Sequence, residues 1–179
     1  MYWGLYNTCE RPEAAYAATY YGGRKEDWDV IKVEAGPYTI NATDGDLQAW
    51  TRLYNAARAG LTNDAAYFRI QGRNEDGTPN PAYENLLDVD NLIDYMLVIL
   101  FGGNLDAPIS NFIGNTSPNN WYGQRNRTGL TGGFRFTSHD AEYKLPSVTE
   151  NRTGPYGSAT SWSLAKSNPQ YLWQQASAN

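Results

Sequence analysis

The sequence predicts an α+β fold, mainly helical, with one β-hairpin late in the chain. Three observations carry that prediction. Leu47, Trp50, Leu53, Tyr54, Ala57 and Leu61 recur at steps of three and four, the period of a helix with one buried face. Asn91 to Phe101 (NLIDYMLVILF) is apolar on nearly all sides after Asp94, which predicts a central buried helix. WYGQRNR (121–127) and GGFRFTSHD (132–140) read as two strands joined around Thr128 to Gly133.

Taken in order, MYWGLYN begins with aromatic and apolar residues in the manner of a strand. Pro12 suits a first helical position, and EAAYAATYY runs to a stop at Gly22-Gly23. Trp28 to Val33 reads as a short strand. Thr43 or Asp44 is expected to cap the next helix, which Gly60 ends. Turn chemistry in GRNEDGTPNP (72–81) predicts a surface loop. A cap at Asp88 or Asp90 opens the apolar helix, and Gly102-Gly103 closes it. The segment 104–120 is long and polar, with two prolines, and loops of that length inside a domain are commonly functional. After Pro146 the chain turns rich in Ser, Thr, Gly and Asn and is expected to be irregular until PQYLWQQ. No internal repeat and no second domain is evident, so residues 1–179 are read as a single domain unit.

At 179 residues the chain can bury a sizeable core. Its formal charge of -5 argues against a nucleic-acid surface, which would carry a basic excess. No run approaches the roughly 18 apolar residues of a membrane span, and no signal peptide opens the chain. Cys9, the only cysteine, excludes an internal disulfide and a thiolate zinc cluster. Fourteen Tyr and six Trp fill cores, but such residues also stack on sugars and bases.

Chemistry concentrates after the apolar helix. The order is helix, polar loop with Asp106, hairpin, Asp140, which is the order in which kinase-like folds present their phosphoryl-transfer groups. There, one Asp orients the acceptor hydroxyl and can take its proton, while an Asn and a second Asp hold divalent ions. Carboxylates and amides without thiolates suit Mg²⁺ or Mn²⁺. Asp106 and Asn111 have the D-x-x-x-x-N spacing of a kinase catalytic loop. The simpler alternative is that Asp106 caps a turn with its own backbone, as Asp before Ala-Pro readily does.

Several stretches together, YWGLYNTCERPEAAYAATYYGGRKEDWDVIKV, DGDLQAWTRLYNAARAG, IQGRNEDGTPNPAYENLLDVDNLIDYM, GNLDAPISNF, NNWYGQRNR and GFRFTSHDAEYKL, resemble the CotH-type spore-coat kinase family. The likeness is greatest to its secreted, often multidomain bacterial branch. It runs from Tyr2 to about Leu145, with a weaker match at SNPQYLWQQ. The resemblance implies an atypical protein-kinase-like fold, here mainly the helical C-lobe with its metal-site hairpin. It also implies use of ATP with Mg²⁺ or Mn²⁺, transfer to Ser of protein substrates on a cell or spore surface, and an extracellular or surface location.

By position, the resemblance makes Asp106 the catalytic-loop Asp and Asp140 the metal-binding Asp. Glu142 would be an accessory ligand if Asp140 lies on a strand, because the two would share a face; otherwise it is a surface carboxylate. Family members carry D-W-P-x-N-N-W-Y. Here an insertion, ISNFIGNTSP, separates Asp106-Ala107-Pro108 from Asn119-Asn120-Trp121-Tyr122. Spacing selects Asn111 as the metal-binding amide, and attachment to the following strand favours Asn120. His139 stands where the family often has Trp, as a structural residue or an outer-shell partner. Glu10 matches an acidic family position and either approaches the nucleotide or pairs with Arg11.

The family's N-terminal strands and phosphate-gripping basic residues are not recognisable, nor are the helices expected after SNPQYLWQQ. The chain is therefore expected to be a fragment, with an N-lobe largely missing, that alone binds nucleotide poorly. Two other functions compete. One is a non-catalytic surface-assembly or carbohydrate-contacting module of the same fold. The other is a metal-dependent hydrolase built on Asp106, His139, Asp140 and Glu142, which lacks the spaced histidines common in such sites.

Overall fold

In the computed structural model, which describes residues 8–157 and 161–179, four strands form one antiparallel sheet with helices on both faces. The strand expected over MYWGLYN lies outside the described residues. The strands are β1 (Trp28–Glu34), β2 (Thr39–Asp44), β3 (Trp121–Asn126) and β4 (Arg135–Ser138), in the spatial order β2-β1-β3-β4. Successive side chains of a strand point to opposite faces, so β1 and β3 divide their residues between two cores. Trp28, Val30 and Tyr122 pack on Ala14 and Ala17 of α1 (Ala14–Tyr21). Ile31 and Trp121 face the larger core, built with α2 (Gln48–Ala59), α4 (Val89–Gly102) and α5 (Pro169–Ala176). Trp50 of α2 is its hub: Trp121, Phe134 and Phe136 surround it at ring distances of 5.5, 5.2 and 6.1 Å. The architecture is α+β, as the sequence predicts.

Two expectations need correction, and one short helix was not expected. Thr43 and Asp44 do not cap the second helix, because they belong to β2, whose ladder with β1 pairs Asp44 with Val30. The Asp44 carboxylate instead accepts from the backbone of Ala14 at 3.3 Å and caps α1, while Asp46 takes the amide of Gln48 at 2.8 Å. A short helix, α3 (Asp64–Arg69), is capped by Asn63 and escaped notice because six residues carry too little periodicity. Finally, α4 is buried on one face only. Leu92, Tyr95, Met96 and Ile99 enter the core, whereas Ile93, Leu97, Val98 and Phe101 are exposed, Phe101 at 90 %. Its composition matched a buried helix; its packing is that of a helix lying along the side of the sheet.

The ends of α4 are the expected ones. Asp88 accepts from the amide of Asn91 at 3.0 Å, and Gly103 closes the helix in the left-handed region at φ 53°. Close to the start of α4, the end of the hairpin turn crosses the chain before the helix. Phe134 donates to Leu86 O at 2.8 Å, and Asp88 donates to Phe134 O at 3.1 Å. A Cβ on Gly133 would lie 1.9 Å from the backbone nitrogen of Leu87, so only glycine fits this crossing. The hairpin and α4 are thereby fixed to one another. The loop after α4 and the strand ends then meet at one edge of the molecule.

Candidate active site at the open end of the hairpin

Asn120 immediately precedes β3, and His139 and Asp140 immediately follow β4. Trp121 pairs with Ser138, and the next rung is a single backbone bond, His139 N to Asn120 O at 3.3 Å. The hairpin therefore delivers Asn120 and Asp140 to the same end. Both sit in the left-handed region, at φ 52° and 49°, a conformation Asn and Asp adopt more readily than most residues.

Asp106 reaches the same place from α4. Its backbone amide donates to the Asn104 side-chain oxygen at 3.0 Å, an Asx turn on a fully buried Asn just past the helix cap. Asn104, rather than Asp106, thus makes the turn. The half-buried Asp106 carboxylate is left to other partners. Oδ1 accepts from the Ser110 hydroxyl, and Oδ2 accepts from Asn120 Nδ2 at 2.9 Å. The same Asn120 nitrogen lies 3.4 Å from the backbone oxygen of Asp140. Asn120 is the link between the two acidic residues. The Asp140 carboxylate is exposed and, among the described residues, makes no hydrogen bond or ion pair.

The remaining candidates fall elsewhere. Asn111 is exposed, opens a 3-10 turn at 111–113, and accepts from Asn115 Nδ2 at 3.2 Å within its own loop. Glu142 is exposed and has no ion-pair partner among the described residues. The strand-face argument for it does not hold, because β4 ends at Ser138 and the chain turns at Asp140. Glu10 accepts from the Tyr20 hydroxyl at 2.6 Å, a bond that raises the tyrosine's pKa, while Arg11 pairs with Glu13 at 3.5 Å rather than with Glu10. His139 packs its ring edge-on against Tyr122 at 5.2 Å. A cleft beside Asp140 is lined by Arg11, Lys32, Asn120, Tyr122 and His139.

Among the described residues no three His, Cys, Asp or Glu side chains converge as a metal centre. The oxygen donors left for a cation are the Asp140 carboxylate and the Asn120 amide oxygen, whose nitrogen is already engaged. That set is hard and incomplete, which fits Mg²⁺ or Mn²⁺ shared with phosphate oxygens better than a caged ion. Two residues that hold Asp106 were missed from sequence. Asn104 had a readable signal, its position two residues before the amide it caps. Ser110 had none, since its role depends on how the insertion folds back.

The family described as CotH kinase protein matches residues 1–174. No curated protein and no solved structure matches the chain.

Proposed function

The chain belongs to the CotH kinase protein family, and from that premise we propose that it carries the catalytic groups of an ATP-dependent kinase acting on Ser of surface or coat proteins outside the cell. Its fold, in this reading, is a protein-kinase-like C-lobe. The observation that carries the proposal is the side chain of Asn120, within hydrogen-bonding reach of both Asp106 and the backbone of Asp140.

In this reading Asp106 accepts a hydrogen bond from the acceptor serine and takes its proton as the serine oxygen bonds to the γ-phosphorus. The bond from that phosphorus to the β,γ-bridging oxygen breaks, and ADP leaves. Asp140 and the amide oxygen of Asn120 would hold Mg²⁺ or Mn²⁺, which neutralises phosphate charge when bound. Asn120 is preferred to Asn111 because it is fixed to β3 and touches Asp106, whereas Asn111 faces its own loop. Glu142 remains an accessory ligand at most. Glu10, held by Tyr20 next to Arg11 of the cleft, is assigned to the nucleotide side.

The test, run on the full-length protein, is transfer of labelled phosphate from ATP, with Mg²⁺ or Mn²⁺, to a serine-containing surface protein. Asp106→Ala and Asp140→Ala should each reduce transfer by about a hundredfold or more. Transfer that survives both substitutions removes these residues from the site. A full-length wild type that transfers nothing yet binds surface protein or glycan favours the non-catalytic module.

A further inference from the structure

We propose that Ser110 is a positioning residue for Asp106, and that the fold of segment 109–118 holds its hydroxyl there. The catalytic consequence rests on the kinase reading; the positioning itself does not.

Ser110 is 2 % exposed, and its hydroxyl donates to Asp106 Oδ1. Such burial keeps the hydroxyl from meeting a phosphate donor, so it acts through the Asp rather than as an acceptor. With Ser110 on one oxygen and Asn120 on the other, both ends of the carboxylate are held. Each oxygen keeps a second lone pair, so the carboxylate can still accept from an incoming hydroxyl. Without Ser110 the carboxylate is tethered through Oδ2 alone and can swing about its last torsion, which is broad for Asp.

The insertion is built to hold that hydroxyl still. Ser110 N donates to Ser117 O at 3.0 Å, Asn115 N donates to Ser110 O at 2.9 Å, and Asn111 N donates to Leu105 O at 2.7 Å. Two cations from the C-terminal segment grip it from outside. Arg152, 3 % exposed, donates to Ile109 O at 2.5 Å and to Asn115 Oδ1 at 2.9 Å, and Lys166 donates to Ser117 Oγ at 2.7 Å. Arg152 bonds the backbone oxygen of Ile109, the residue next to Ser110, and so limits how far that hydroxyl can drift from Asp106.

The experiment compares wild type with Ser110→Ala, Ser110→Cys and Ser110→Thr by NMR at neutral pH, reading the Asp106 carboxyl carbon and the Asn120 side-chain amide. The Ala variant should move both signals, the Cys variant, a weak donor of similar size, should move them part of the way, and Thr should restore them. Backbone amides of β1 should stay in place in all three. If Ala does not fold, the Cys and Thr variants decide alone. Unmoved Asp106 and Asn120 signals on loss of the hydroxyl overturn the proposal. In the transfer assay the Ala variant should lower kcat about tenfold and leave the KM for ATP within about twofold. Transfer that is normal in Ser110→Ala also overturns it. A full-length wild type without transfer overturns the kinase reading, while the NMR comparison still decides the role of Ser110.

Discussion

Asp29 has the least exposed carboxylate among the described ion pairs, with its side chain 2 % exposed. Arg127 donates to it at 2.9 Å, Arg125 approaches at 3.7 Å, and the amide of Asp46 adds a bond at 3.1 Å. Gly45 makes that last approach possible, because a Cβ at its φ of 66° would sit 2.1 Å from Asp29 Oδ1. Asp29→Ala leaves the Asp46 amide without its acceptor, while Arg125 keeps Glu84 and Arg127 is 40 % exposed, so it should cost about 1–3 kcal/mol in urea unfolding. Glu84 joins the same network, receiving Arg52 at 2.7 and 2.8 Å and Arg125 at 2.7 Å. The hydrogen bond from Arg52 leads in holding its carboxyl below the ordinary 4.5. A depressed folded-state pKa stabilises the protein above the unfolded value and loses that effect as pH falls through the folded one. Glu84→Gln should thus melt below wild type at pH 7, and the difference should close as pH falls below the ordinary Glu range. The pair is partly exposed, so the effect is modest.

At the scale of elements, α4 separates composition from packing. Its sequence gives an apolar residue at nearly every position, and the hydrophobic pattern could not say which face meets the sheet. Its termini were legible, since Asp88 and Gly103 act through local backbone geometry that a short window contains. Leu92→Ala and Ile99→Ala should each cost about 2–5 kcal/mol, whereas Leu97→Gln and Phe101→Gln should stay within about 0.5 kcal/mol in the same unfolding measurement. Large losses from the second pair would mean that the outward face is covered in solution. The hairpin was read correctly because alternation and a Gly-rich turn are also local signals. β2 was not, because pairing with β1 overrode the capping potential of Thr43 and Asp44.

Across the whole molecule, the C-terminal segment works as a brace. Trp50 donates to Ser167 at 2.8 Å, Tyr54 donates to the backbone of Trp162 at 2.8 Å, and Gln170 donates to the backbone of Arg152 at 3.0 Å. These tie Trp162 and Ser167 to α2 and, through Arg152, join the C-terminal segment to the 109–118 loop. Arg152→Met should speed hydrogen exchange at Ser110 and Asn115 by about tenfold or more and leave the β1–β3 ladder unchanged. No sequence window contains that arrangement, because its partners lie more than thirty residues apart. Near Asp106 the residue types were legible, but its contacts with Ser110 and Asn120 depend on how the chain between them folds back. The hairpin, for its part, sorts the chain into lengths that are free to drift and lengths that are not. Asn120 and His139 close one end, and the exposed turn around Thr128 to Leu130 lies at the other. Related chains should vary in length at that turn without moving the acidic pair. A single residue gained or lost inside β3 would shift the register on one side of it by one, and with the turn held in place it would carry Asn120 and Trp121 to the wrong face. Genealogy of this fold is then expected to record its indels at the far tip and almost none between Asn120 and Asn126.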